Sequence, residues 1–478
     1  FRRGSDLYID RRDGHAVKTE DFVKAREDAS DLDLTQFRRW YSQAGTPELQ
    51  VNGRYNADNK TYTLSVKQDC PLTPGQNEKS PFQIPLATGL LDKQGNDIPL
   101  RLQGEEEVTS GTKILNVTGR EQEFTFVDVD CEPVPSILRG FSAPIKLDVN
   151  LTDAQRYFLM SNDNDGFNRW EAGQQLFVKV IMGLIGDHQA GKALKFDESI
   201  INALRNNLED ARMDNALIAQ SLALPAETYI SEFMGVVDPD AIHFVRNFMK
   251  KEIASSLKQL LFSKYEENKQ EGEYRIDSES IGKRSLKNMC LTYLMQLDDQ
   301  SVVDLCIEQF YKSNNMTDTI SAFSAIVNQD CKERESVIGD FYEKWKDDAL
   351  VTDKWFGIQA TSQHPDTLKR VRELTSHAGF SIRNPNKERA WIGAFSQGNQ
   401  IHYHSANGEG YSFLGDHVIK IDAMNPQIAS RLVGGFSFWK KYDSNRQQLM
   451  ISQLERIRDS ENLSRDVYEI VTKSLGNL

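Results

Sequence analysis

Thr61-Tyr62-Thr63-Leu64-Ser65-Val66-Lys67 alternates without a break, with Tyr62, Leu64 and Val66 on one face and hydroxyls and Lys67 on the other. A period of two marks a strand with one buried face. The same period recurs on the C-terminal side of this stretch, in Phe82-Gln83-Ile84-Pro85-Leu86, Ile98-Pro99-Leu100-Arg101-Leu102 and Glu123-Phe124-Thr125-Phe126. Turn clusters such as Pro74-Gly75-Gln76-Asn77 and Lys93-Gln94-Gly95-Asn96 separate these runs. Residues 46–148 therefore predict a small antiparallel β-sandwich. Pro85 and Pro99 inside the runs predict edge strands or bulges, because proline cannot donate to a ladder.

On both sides the period turns helical. In residues 1–45, Thr19-Glu20-Asp21 opens a helix with Phe22, Ala25, Ala29 and Leu32 as its apolar positions. Asp33-Leu34-Thr35 leads into an aromatic helix that stops at Gly45-Thr46-Pro47. From 149 to 478, amphipathic segments follow one another without strands, as in Ile253 to Phe262, Ser301 to Phe310 and Met316 to Val327. The predicted architecture is multidomain and mainly α. A short helical stub (1–45) leads to the sandwich (46–148), and a large α-superhelix of HEAT- or armadillo-like helix pairs follows (149–478). Asn384-Pro385 with Arg389, and Asn425-Pro426 with Arg431, recur about 41 residues apart, within the period of such repeats. Two independent helix starts give the same pattern, since Asn caps and Pro fits the first turn.

The net charge of −13 argues against a nucleic-acid backbone as partner. No apolar run reaches the roughly 20 residues that span a bilayer. The five cysteines (Cys70, Cys131, Cys290, Cys306 and Cys331) are odd in number and contain no Cys-x-x-Cys, which fits reduced thiols in a cytoplasm. The start at Phe1, without an apolar leader, reads as a cut inside a larger polypeptide.

The stretch from Asp33 to Pro47, Asp-Leu-Thr-Gln-Phe-Arg-Arg-Trp-Tyr-Ser-Gln-Ala-Gly-Thr-Pro, resembles the end of the catalytic domain of bacterial aminopeptidase N (alanyl aminopeptidase), a gluzincin zinc metallopeptidase. Gln68-Asp69-Cys70-Pro71-Leu72-Thr73-Pro74-Gly75-Gln76 is similar to that family's small β-domain. Asn315-Met316-Thr317-Asp318, Asp353-Lys354-Trp355-Phe356, Asn384-Pro385-Asn386 and Asn425-Pro426-Gln427-Ile428-Ala429-Ser430-Arg431 resemble its C-terminal domain. The resemblance implies that 1–45 are the last helices of a thermolysin-like catalytic domain, 46–148 a spacer, and 149–478 a cap over the active-site chamber. It implies a parent that removes N-terminal residues from peptides with a zinc-activated water.

The peptidase motif itself is missing. A His-Glu-x-x-His helix places two imidazoles on one metal. None of His15, His188, His243, His364, His377, His402, His404 and His417 pairs in that way. The family's Gly-Ala-Met-Glu-Asn motif and transition-state Tyr find no position here either. The reading assigns no catalytic residue, metal ligand or cofactor to this chain. Zinc would be bound upstream of Phe1, and the chain alone would be inactive. Its partners would be the missing N-terminal catalytic half and peptide substrates, in a cytoplasmic monomer.

Arg389 and Arg431 are the candidate substrate-binding residues. Each falls within two turns of a helix start, where a planar guanidinium suits a carboxylate or carbonyl. In the resembling family, matching arginines look into the chamber above the zinc. An ordinary ion pair in so acidic a chain is the competing reading. Asp163-Asn164-Asp165-Gly166 resembles half an EF-hand loop, but Ser161 and Ala172 stand at its first and twelfth positions, so it reads as a turn. His402-Tyr403-His404 lacks a third ligand and reads as structural. Val433-Gly434-Gly435-Phe436 reads as a helix kink rather than a nucleotide loop. The rival function is a stand-alone helical-repeat module that holds an extended peptide or serves as a scaffold.

Overall fold

The computed structural model describes residues 1–476 and divides into two compact units, Phe1–Leu176 and Phe177–Leu478. In the first, seven strands form two sheets: β1 (Glu48–Asn56), β2 (Thr61–Asp69), β3 (Ile84–Leu91), β4 (Lys113–Val117), β5 (Glu121–Phe126), β6 (Val134–Ile137) and β7 (Lys146–Val149). Their orders are β5-β2-β1-β7 and β4-β3-β6. The alternation in β2 does what it predicts: Tyr62, Leu64 and Val66 enter a core shared with Leu86, Leu90, Leu115 and Phe126. Every strand pairing is antiparallel except that of β1 with β7, which is parallel.

Three local expectations are corrected. Ile98–Leu102 is not a strand. Pro99 cannot donate, and only isolated bridges remain, Leu100 with Thr109 and Leu102 with Phe126. Pro85 lies in the central strand of its sheet, not an edge strand. It is tolerated because β6 pairs only with Thr88–Leu91, which leaves β3 single-sided at Pro85. Strand β1 escapes the period-two reading because Gly53 interrupts it. The Tyr62 ring occupies the place of a side chain there, and a Cβ on Gly53 would meet its hydroxyl at 1.8 Å.

The leading helices Arg2–Arg12 and Thr19–Ser30 pack on each other. The second buries Val23 and Ala25, while Phe22 and Leu32 stay exposed, so the apolar face sits differently from the sequence expectation. Phe22 instead meets Tyr8 edge-on at 5.3 Å. Residues 36–44 are tied to the sandwich. Trp40 stacks on Phe82 at 4.6 Å and donates to Gln83 O, and Gln36 donates to Pro81 O and Thr118 O.

The second unit is helical. Pro239–Ser256, Ser278–Leu294, Met316–Val327 and Ala349–Ala360 pack side by side as one layer. Lys258–Glu267, Gln300–Lys312 and Arg334–Trp345 alternate with them as the second members of helix pairs. Such pairs bury a continuous core only by stacking. Phe323 and Phe341 stack at 4.4 Å, and Phe356 meets Trp391 at 5.3 Å. Side-chain caps start the helices: Asn315 accepts from Asp318 N, and Asp238 accepts from Ala241 N. The expected segment Ile253 to Phe262 is two helices, because the backbone leaves helical geometry at Leu257 (φ −111°, ψ 10°).

Candidate functional site

Asn384 and Asn425 cap as their sequence suggests. The Asn384 side chain accepts from Asn386 N and the Asn425 side chain from Ile428 N, each with Pro at the first helical position. From Asn384 the chain runs through Pro385–Glu388 into a π-helical segment, Arg389–Gly393, and on into Ala394–Gly398. A π segment widens one turn and is found often at functional sites. Arg389 opens it and is exposed.

Its two predecessors are buried. Lys387 pairs with Asp353 at 2.9 Å. Glu388 is 2% exposed, and its Oε1 has no hydrogen-bond partner among the described residues. Burial pushes the Glu388 carboxyl up to about 7, against a smaller opposing pull from Arg389.

Arg431 lies in the last turn of the short helix Pro426–Leu432. It falls within two turns of the start capped by Asn425, as the sequence expects, and the helix is so short that the same residue also stands in its last turn. Arg431 is exposed. Neither arginine forms a hydrogen bond or ion pair with a described residue, and their helices are not extensively packed together. Both guanidinium groups are thus available to a ligand.

His404 and His417 are held structurally. His404 Nδ1 meets the Tyr411 hydroxyl at 2.9 Å, its Nε2 meets the Tyr442 hydroxyl at 3.0 Å, and its ring stacks on Tyr442 at 4.3 Å. Burial, with Arg446 nearby, holds it down to about 3. His417 Nδ1 meets Phe413 O at 2.8 Å. The segment is helical at Gln400–Tyr403, not extended, so the two imidazoles do not share one side. No three His, Cys, Asp or Glu side chains among the described residues converge as metal ligands, so the donor set here does not fit zinc.

Asp163-Asn164-Asp165-Gly166 is a turn. Asp165 N donates to Asp163 Oδ1, Asn168 N donates to Asp165 Oδ1, and the next helix starts at Gly166. Val433–Phe436 is a 3-10 continuation of the Arg431 helix. The five cysteines are free thiols. No helix among the described residues is long and apolar enough to cross a membrane.

Sequence reasoning missed a groove in the second unit whose volume is about 720 Å³ and whose charged lining residues are Lys250 and Lys354. Its walls mix polar side chains with apolar ones such as Met295, Ile320 and Ile358, brought together from distant segments. Only the helical spacing of those polar residues could have revealed it.

Residues 153–476 match a family described as a domain of unknown function with armadillo repeats (DUF3458_C), and residues 45–150 match one with an Ig-like fold (DUF3458). The chain is 41% identical over 476 residues to aminopeptidase N of Escherichia coli K12, which covers 100% of this chain and 54% of that protein. It is 38% identical over 475 residues to aminopeptidase N of Haemophilus influenzae, covering 99% and 54%. Against aminopeptidase N of Caulobacter vibrioides it is 36% identical over 477 residues, covering 100% and 54%. Among solved structures, Legionella pneumophila aminopeptidase A in complex with aspartic acid superposes with a TM-score of 0.82 at 31% identity, over 99% of this chain and 54% of that one. The chain thus spans about half the length of the relatives it matches. It belongs to the aminopeptidase N family and corresponds to the C-terminal portion of its members, an Ig-like domain followed by armadillo repeats.

Proposed function

We propose that this chain is the C-terminal region of a zinc aminopeptidase that removes N-terminal residues from peptides, and that residues 149–478 cap its active-site chamber. The cap walls off the chamber and limits substrates to short peptides. One observation carries the reading: the whole chain aligns with aminopeptidase N relatives, yet His-Glu-x-x-His occurs nowhere in it. In this reading residues 1–45 end the catalytic domain and 46–148 are the spacer. The zinc-activated water is supplied by residues upstream of Phe1. The isolated chain is inactive. The protein works as a cytoplasmic monomer on peptides rather than on nucleic acids or membranes. The net charge of −13 and the free thiols support that setting.

Arg389 and Arg431 meet the C-terminal side of the peptide. Their exposure and lack of ion-pair partners support this role. The test is Arg389→Ala and Arg431→Ala in the intact protein, with a tripeptide compared against a single-residue arylamide, which lacks the carboxylate. A charge-assisted hydrogen bond is worth roughly 1.5–3 kcal/mol, so tripeptide kcat/KM falls about tenfold to hundredfold while the arylamide changes little. Equal losses for both substrates remove the arginines from the site. An intact gene without His-Glu-x-x-His ahead of Phe1 overturns the peptidase reading itself.

A further inference from the structure

Lys387, Glu388 and Arg389 follow one another through one turn, and the fold places the three very differently. Lys387 is buried, pairs with Asp353 at 2.9 Å and lies over the Phe356 ring, with Nζ 5.5 Å from the centroid. Arg389 is exposed, and the π segment opens at it. Ala394 N donates to Arg389 O, a bond that spans five residues instead of four. Between them Glu388 is 2% exposed, and its Oε1 finds no hydrogen-bond partner among the described residues.

An ionised carboxylate is costly where an oxygen is sealed from both water and donors. Such a group holds its proton, and burial pushes Glu388 up to about 7. The charged groups around it are few. The helix packed on this turn, Ala349–Ala360, brings Asp353 and Lys354. Asp353 is engaged by Lys387, while Lys354 is exposed, as is Arg383 ahead of the turn. Of these charges, Arg389 is the one that opposes the effect of burial on Glu388. The guanidinium of Arg389 keeps its charge at any working pH. Its neighbour does not. A neutral Glu388 leaves that positive charge whole toward a ligand, and an ionised Glu388 sets a negative charge one residue away from it.

We propose that Glu388 is a specificity-determining positioning residue for the peptide's C-terminal side. In its neutral form it leaves Arg389 to attract a carboxylate, and in its ionised form it offsets that attraction. Glu388 is itself buried, so it acts through Arg389. The inference rests on the reading that Arg389 meets the substrate's carboxylate. It adds that the preference for a free C-terminus over a blocked one is set by pH, and that one side chain outside the ligand's reach sets it.

The test uses the intact protein and two tripeptides of one sequence, one with a free C-terminal carboxylate and one amidated. KM for each is measured from pH 6 to 8.5. The free carboxylate stays ionised over this range, and both peptides carry the N-terminal amine, so the ratio of the amide's KM to the acid's isolates the carboxylate. In the wild type this ratio should fall roughly three- to tenfold as pH rises through 7. The ratio of the two kcat values should stay level, because the interaction is one of binding. Glu388→Gln keeps the shape and removes the titration, so it should hold the low-pH ratio throughout. Glu388→Leu takes its place if the amide unfolds the protein. Arg389→Ala should lower the ratio and abolish its pH dependence, whereas Arg431→Ala should lower it and leave the pH dependence in place. The proposal is overturned if the wild-type ratio is level across this range, or if folded Glu388→Gln or Glu388→Leu shows the same fall as the wild type. An Arg389→Ala protein with the wild-type ratio shows instead that the arginine does not meet the carboxylate. The underlying reading then fails, and the role of Glu388 fails with it.

Discussion

Asp163 in the first compact unit and Glu388 in the second are both sealed into the fold, but of the two only Asp163 lies against a cation. Asp163 is 2% exposed and lies 3.3 Å from the Arg139 guanidinium. Glu388 is also 2% exposed, forms no ion pair with a described residue, and leaves Oε1 without a hydrogen bond. Burial pushes both upward, so desolvation outweighs attraction even where Arg139 is present. What differs is the surroundings. Arg139 is fixed by Ser136 Oγ at 2.8 Å, Thr112 Oγ1 at 3.1 Å and Asp97 at 2.7 Å. It lies across Gly89, where a Cβ would stand 2.1 Å from its Cζ. Glu388 has no such cluster, only the neighbouring exposed Arg389. The first carboxyl belongs to a joint between segments, and the second stores a protonation change.

Removing the cation should give the largest effect. Arg139→Ala strips the cluster of the cation that Asp97 and Asp163 share and opens a void over Gly89. Stripping one partner from a buried ion pair costs about 3–5 kcal/mol. Urea unfolding of the first unit should show that loss. A cost under about 1 kcal/mol would mean that Arg139 is not the charge partner its geometry indicates.

Glu388 should show itself through pH. Its carboxyl rises from 4.5 to about 7 in the folded protein. Between those values the native state holds a proton that the unfolded chain has lost. Its contribution to stability is complete below about 4.5 and is lost as pH rises through 7. The shift corresponds to roughly 2–3 kcal/mol. Glu388→Gln should match the wild type near pH 5 and exceed it by about 2 kcal/mol at pH 8. Thermal unfolding at pH 5, 6.5 and 8 checks this, and parallel curves for the two proteins sink it.

Neither carboxyl's state was legible in the sequence, and the reason is sequence separation. Arg139 finds Asp97 and Asp163 at 42 and 24 residues' remove, so no local window contains the cluster. Glu388 reads as a helix-start acid, and only tertiary packing buries it. Local features fared differently. The strand around Leu64, the caps at Asn384 and Asn425, and the turn at Asp163–Gly166 were all readable, since each is decided within a few residues. Strand β1 was lost because the residue facing Tyr62 had to be glycine. The groove was lost because its lining comes from segments far apart in sequence, from Lys250 to Ala394. Arg389 and Arg431 entered through family resemblance, and each does fall within two turns of the helix start that Asn384 or Asn425 caps.

The smallest single effect, that of Asp163→Asn, would show which carboxylate neutralises Arg139. Asp97 approaches the guanidinium at 2.7 Å with a side chain 24% exposed, and Asp163 at 3.3 Å with one fully buried. An ion keeps its charge more readily where water reaches it. Asp97 should therefore be the charge partner, while Asp163 acts mainly as a hydrogen-bonding group toward Ser136 and Asp165 N. Asp163→Asn keeps the shape and an acceptor oxygen, so it should cost only about 1 kcal/mol. Asp97→Asn takes the charge from Arg139 and pushes the ion pair onto Asp163, which must then ionise in the interior. That should cost roughly 2–3 kcal/mol. The double variant leaves Arg139 buried with no counter-charge, so it should cost more than the two single costs added together. Unfolding free energies for the three proteins at pH 7 settle the assignment. The assignment is reversed if Asp163→Asn costs more than Asp97→Asn, and Asp163 is then the ionised partner despite its burial.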